Sequence, residues 1–161
     1  MQFSTNMAAA LAIFSSVVAA APAAAPVSDN KASPAVVFEK RASINNCDYS
    51  NFINRTSGGS PKVADCRQIT YNIAGGGTWT VDGLGKGHHQ LVQYGTCAFG
   101  VQIADSGYFG EYKVGNQDII DLINDSIRLY QWNGLIGSEG ITSCQRTMGG
   151  MSEVKWGLYH D

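Results

Sequence analysis

Basic charge is scarce in this chain. Its 161 residues hold 11 lysines and arginines against 13 aspartates and glutamates, a net charge of −2. That balance argues against a phosphate-coating surface as the main partner contact, so nucleic acid is not an expected partner. Long apolar runs are nearly missing as well. Apart from Met7 to Ala21 there is no second hydrophobic segment, so nothing is expected to span a membrane. Histidine occurs three times, and two of the three, His88 and His89, are adjacent. Neighbours on a strand point to opposite faces, and no cysteine or carboxylate stands at a ligand spacing from them, so neither a metal nor a cofactor is expected. The triple glycine at 75–77 follows a helical pattern instead of opening one, and reads as a helix stop, not a phosphate cradle. No internal repeat is present.

The front of the chain does carry a pattern. Met7 to Ala21 has the length of a signal-peptide core, with small residues at Val18-Ala19-Ala20, although Met1 to Asn6 contains no lysine or arginine. Residues 1–20 are therefore expected to be a secretory leader cut near Ala20, and the protein to be secreted and extracellular. Ala21 to Glu39 is rich in alanine, proline and polar residues, lacks periodicity, and cannot bury enough surface to fold alone. It runs into Lys40-Arg41, so residues 21–41 are expected to be a propeptide ending in a dibasic processing site. The mature domain would be 42–161. Three of the 11 basic and two of the 13 acidic residues precede Ala42, which leaves that span at −3. All 19 glycines and all four cysteines lie within it.

Within 42–161 the stretch Leu91–Ile103, LVQYGTCAFGVQI, alternates as a half-buried strand with Cys97, Phe99 and Val101 on its inner face. Gly95 and Gly100 predict a bulge or a close neighbour at each. Ser60-Pro61 reads as the cap and first residue of a helix whose buried stripe is Val63, Cys66, Ile69 or Thr70, and Ile73. A second helix is expected from Asn116, its cap, with Asp118 and Asp121 near the positive end, Arg128 later, and Ile119 or Ile120, Ile123, Ile127 and Tyr130 inward; Asn133-Gly134 closes it. Ile44–Ile53 is an edge strand or arm. Thr78–Val81, Ile141–Gln145 and Val154–Tyr159 are short strands, the last with Val154, Trp156 and Leu158 on one face. Tyr108, Phe109 and Tyr112 lie in a loop or loose hairpin, either as a contact surface or folded over the core edge. The fold class expected is α+β: a small antiparallel sheet with two amphipathic helices on one face and two disulfides.

Four cysteines in a secreted chain predict two disulfides among Cys47, Cys66, Cys97 and Cys144, with three possible pairings. Nearness in sequence favours Cys47–Cys66, and expected neighbouring strands favour Cys97–Cys144. The rival is Cys66–Cys97 with Cys47–Cys144. Asn54-Arg55-Thr56 and Asn124-Asp125-Ser126 are glycosylation sequons, placing candidate glycans on Asn54 and Asn124.

Taken in order, Cys47, SPKVADC at 60–66, Trp79, GTCAFGV at 95–101, VGNQDIIDLINDSIRLY at 114–130, GITSC at 140–144 and VKWGLY at 154–159 resemble the fungal necrosis-inducing effector domain family, the homologues of the extracellular protein 2 effector. The resemblance covers Cys47 to Tyr159. It implies a secreted fungal virulence factor, a toxin that provokes plant cell death by binding a host extracellular or cell-surface target, acting as a monomer and not as an enzyme. It implies no catalytic residues. Related domains joined to chitinase-like modules make an antimicrobial, killer-toxin-like role the alternative. A small ribonuclease-like hydrolase is a further alternative. His88 or His89, Glu111, Arg128 and His160 supply the residue types that chemistry needs, but in no recognisable motif.

Overall fold

The computed structural model describes residues 36–39, 42–84, 87–104 and 110–161. The leader, Ala20, Lys40, Arg41, Tyr108 and Phe109 lie outside the described residues. The elements run β1 (Val36–Glu39), β2 (Cys47–Ser50), β3 (Ile53–Asn54), α1 (Val63–Ile73), β4 (Thr78–Asp82), β5 (His89–Tyr94), β6 (Cys97–Ile103), β7 (Glu111–Gly115), α2 (Asn116–Tyr130), β8 (Ser138–Gln145) and β9 (Met151–His160).

All strand pairs are antiparallel, and they form two sheets where one was expected. The larger has the order β2-β8-β9-β6-β5, with β3 also pairing to β8. The smaller has the order β1-β4-β7. The α+β class with two helices and two disulfides holds, while the single sheet is corrected. The split follows from local pairing. β4 pairs with β7 on one edge and with β1 on the other, and β7 meets the chain after β8 through the isolated Tyr112–Arg146 bridge.

The stretch read as one long strand is a hairpin. Gly95 and Thr96 form a two-residue turn closed by the Tyr94–Cys97 pair. Gly95 has a φ of 56°, a conformation that favours glycine at the first position of such a turn. A side chain there would also meet the Asp65 carboxylate at 2.6 Å. The Asp65 carboxylate accepts from the Thr96 backbone N–H at 2.9 Å and from its hydroxyl at 2.7 Å, so the hairpin tip is tied to the first turn of α1. The inner face is as expected, with Cys97, Phe99 and Val101 buried beside Val154, Trp156 and Leu158 of β9.

Neither helix starts at its expected cap: α1 begins two residues later and α2 one residue earlier. Ser60 instead closes a turn, accepting from the Ser57 N–H at 2.8 Å, and Lys62 stands at the α1 N-cap without a side-chain bond. At α2 the cap is Gly115, whose N–H donates to Asp118 at 2.7 Å. Asn116 is the first helical residue and is fully buried. Its amide accepts from Ile44 N–H and donates to the Ile73 carbonyl, so it bridges an extended arm to the end of α1. α2 ends at Tyr130, before Asn133-Gly134. α1 packs on β5, β6 and α2, and α2 packs on β7. One continuous core joins both sheets and both helices.

Val36–Glu39 departs from the expectation of a segment without structure. It is strand β1, paired along β4 from Val36–Val81 to Glu39–Thr78. Such a segment has no periodicity of its own to display, because the partner that orders it lies about 40 residues downstream and only a tertiary contact supplies it.

Candidate functional site

Both disulfides form, with the rival pairing. Cys47 lies directly opposite Cys144 in the β2–β8 register, with Cα atoms 4.0 Å apart. Cys66, on the buried stripe of α1, bonds Cys97 on the inner face of β6, with Cα atoms 5.2 Å apart. The favoured Cys97–Cys144 bridge fails because β9 runs between β6 and β8. The favoured Cys47–Cys66 bridge fails because Cys47, on β2, is paired against β8, not α1.

A groove of about 220 Å³ opens beside the Cys47–Cys144 bridge, between β2 and α2. Asp48, Tyr49, Asp118, Asp121, Asp125 and Thr142 are among its lining. Tyr49 stands 89% exposed at its rim. Asp118, at its floor, is engaged by backbone: Asn46, Cys47 and Gly115 N–H groups all donate to it. Burial raises its pKa above the ordinary aspartate value against the pull of those three donors. Asp121 receives Gln117 and Asp125 receives Arg128. Phe52 and Leu122 add apolar surface to these carboxylates, so the depression can take an apolar group flanked by hydrogen-bond donors.

The outer face of the larger sheet carries a second cluster, which the sequence did not reveal. Gly157 faces Gly100 on β6 and Glu139 on β8. His88 lies over Gly157, its ring edge-on to Tyr159 at 6.1 Å between centroids. Glu139 accepts from Arg55 at 2.6 Å and is 3.9 Å from Lys155 Nζ. Arg55 and Lys155 hold Glu139 below the usual glutamate range, the Arg55 hydrogen bond being the main cause. Burial, then the Lys155 charge, lowers His88. At neutral pH Glu139 is therefore an occupied carboxylate, and His88 is a neutral ring. These residues come from five separate stretches, and only the tertiary fold joins them.

The residues named for hydrolase chemistry do not converge. Glu111 starts β7 in the smaller sheet, and Arg128 is on α2 paired to Asp125. His160 ends β9 opposite Cys97, and His89 opposes Val101 with a buried, unpartnered Nε2. Among the described residues no group of three histidine, cysteine or acidic side chains is placed to hold a metal, and no helix is long and apolar enough to cross a membrane. Asn54 and Asn124 are both exposed, on β3 and α2. The sequon hydroxyl of Ser126 is buried and donates to the Leu122 carbonyl at 2.6 Å. Tyr112 belongs to the core, fully buried.

The fold defines a small, disulfide-bridged α+β domain with a surface groove beside one of its bridges. A family model matches residues 46–144: Hce2, described as "Pathogen effector; putative necrosis-inducing factor". The chain belongs to this family. It is also 34% identical over 137 residues to "Probable chitinase LysM18" of Penicillium expansum, and 28% identical over 112 residues to "Secreted chitinase LysM12" of the same fungus. These alignments take in 83% and 68% of this chain but only 9% and 7% of the relatives, so the chain spans under a tenth of either protein.

Proposed function

We propose that this chain is a secreted effector, a toxin that elicits plant cell death by binding a host target outside the cell, as a monomer and without catalysis. The observation that carries this reading is the effector-family match across 46–144, which brackets the Cys47–Cys144 bridge. The groove beside exposed Tyr49 is the surface best suited to contact, since it offers apolar lining, acceptors and an aromatic rim. In this reading residues 1–20 are the leader, 21–41 the propeptide and 42–161 the mature domain, which amino-terminal sequencing of secreted protein checks.

Infiltration of the secreted, purified protein into leaves tests the function. Necrosis in some host genotypes is expected. It should disappear on reduction of the disulfides and persist in the quadruple variant His88→Ala, His89→Ala, Glu111→Ala, His160→Ala. RNA cleavage by the wild type that vanishes in the folded quadruple variant overturns the binding reading. A second reading, an antimicrobial killer-type toxin, draws on the likeness to chitinase-named fungal proteins. Killing of fungi or bacteria with no plant response would favour it.

A further inference from the structure

Among the described residues, only β1 covers the second edge of β4. β4 gives its other edge to β7 over five residue pairs, Thr78–Gly115 to Asp82–Glu111. Against the open edge, Val36 opposes Val81 and Phe38 opposes Trp79, so both apolar β1 side chains share a face with buried residues. The Phe38 and Trp79 rings lie 4.7 Å apart, and Trp79 is 5% exposed. Gly77 is shaped for this contact. Its φ is 149°, and a methyl group there would collide with the Phe38 ring. Phe38 nevertheless remains 44% exposed and Val37 57% exposed, so β1 is a thin cover. It ends at Glu39, directly before the Lys40-Arg41 pair.

We propose that the β4 edge is a strand-docking site, occupied by β1 while the chain is whole and vacated once it is cut after Arg41, where it then takes an extended segment of a target protein. A four-residue strand makes few backbone bonds and loses its entropic tether when severed, so it dissociates readily. What it leaves behind is a row of unpaired β4 N–H and C=O groups, an exposed Trp79 and the Gly77 notch. That surface recognises a peptide by strand addition, with specificity from alternate side chains. The fitting partner carries two apolar side chains two residues apart, the second aromatic, as Val36 and Phe38 do. β1 thus prevents premature pairing of an edge that would otherwise be sticky. This inference stands independently of whether the target lies in a plant.

The test uses the secreted chain before and after cleavage by a kexin-type protease, with hydrogen exchange read at those Thr78–Val81 amides that face β1, the ones that face β7 serving as the internal control. A Lys40→Ala/Arg41→Ala chain is the uncut control. Expected results are protection in the uncut chain, loss of protection with loss of the 36–41 segment on cutting, and recovery on adding a synthetic peptide of residues 35–41. The same peptide with Phe38→Ala should fail to restore protection. Persistence of protection after cutting overturns the proposal, whether because the fragment stays bound, because β4 needs no cover, or because the cut domain dimerises and no peptide displaces the second copy. Failure of the protease to cut after Arg41, or equal rescue by the Phe38→Ala peptide, overturns it as well. Because the peptide arm leaves the folded domain unaltered, misfolding of a variant cannot imitate the result.

Discussion

The two sheets are held in different ways. In the larger one β8 and β9 pair over eight residues and β6 and β9 over seven, and both disulfides touch it, Cys47–Cys144 between β2 and β8 and Cys66–Cys97 from α1 to β6. The smaller sheet has three short strands and no covalent tie. Hydrogen bonds through Asn116, Gly77 and Ile44, and a four-residue cover strand, hold it in place. The larger sheet is thus the more heavily tied of the two.

The strongest way to break this contrast is inside the larger sheet. Trp156 is fully buried between Phe52 and Phe99, and its indole N–H donates to Ser50 at 2.7 Å. We predict that Trp156→Ala costs about 3–5 kcal/mol in urea unfolding, enough to threaten folding altogether. A loss near 1 kcal/mol would mean that the larger sheet is not the stability centre.

Next come the bridges. Each should contribute about 2–4 kcal/mol, and chain entropy makes the Cys47–Cys144 bridge, with a separation of 97, about 1 kcal/mol more stabilising than Cys66–Cys97, with a separation of 31. Paired Cys→Ser variants compared by thermal unfolding check the order. The reverse order would point to enthalpic packing around Cys66 as the stronger effect.

A matched pair of glycines sharpens the comparison. A methyl group on Gly140 would collide with the Asn51 carbonyl, and one on Gly115 with that of Ile44. We predict that both Gly→Ala changes cost about 1–3 kcal/mol. Gly115→Ala should loosen β4 and β7 amides selectively in hydrogen exchange, whereas Gly140→Ala should lower the global stability.

The smallest effect is in pH dependence, and its sign differs between the regions. Thr96 holds Asp65 below the ordinary aspartate value, mainly through its backbone N–H, so its contribution is present above that value and is lost as pH falls through the lower folded one. Burial raises Asp118, so the stability linked to its protonated form is present below the ordinary value and is lost as pH rises through the raised one. Asp65→Asn should therefore flatten the acid-side fall in stability below about pH 4, while Asp118→Asn should steepen it. Unfolding midpoints measured between pH 3 and 7 decide this, and parallel curves for the two variants would refute it.

Much of the fold could be read locally. The α1 stripe of Val63, Cys66 and Ile69, the inner face of Cys97, Phe99 and Val101, and the alternation of Val154, Trp156 and Leu158 all show at periods that a helix or strand must obey. The helix starts were missed by two residues at α1 and one at α2, because Ser60 uses its hydroxyl in the turn that precedes the helix and Asn116 spends its amide on the distant Ile44. The hairpin at Gly95-Thr96 was missed because one continuous alternation hides a turn of only two residues.

By itself the sequence determined that the domain is α+β, that its four cysteines are paired, which faces are buried, and to which family it belongs, since each of these follows from local spacing or from ordered motifs. Tertiary structure alone decided the rest. The disulfide pairing depended on β9 lying between β6 and β8. The Arg55–Glu139–Lys155 cluster depended on cross-strand register. The covering of Trp79 by Phe38 depended on a strand edge that only the assembled smaller sheet provides. Contacts between residues far apart in the chain leave no period behind, because the partner and not the segment supplies the geometry.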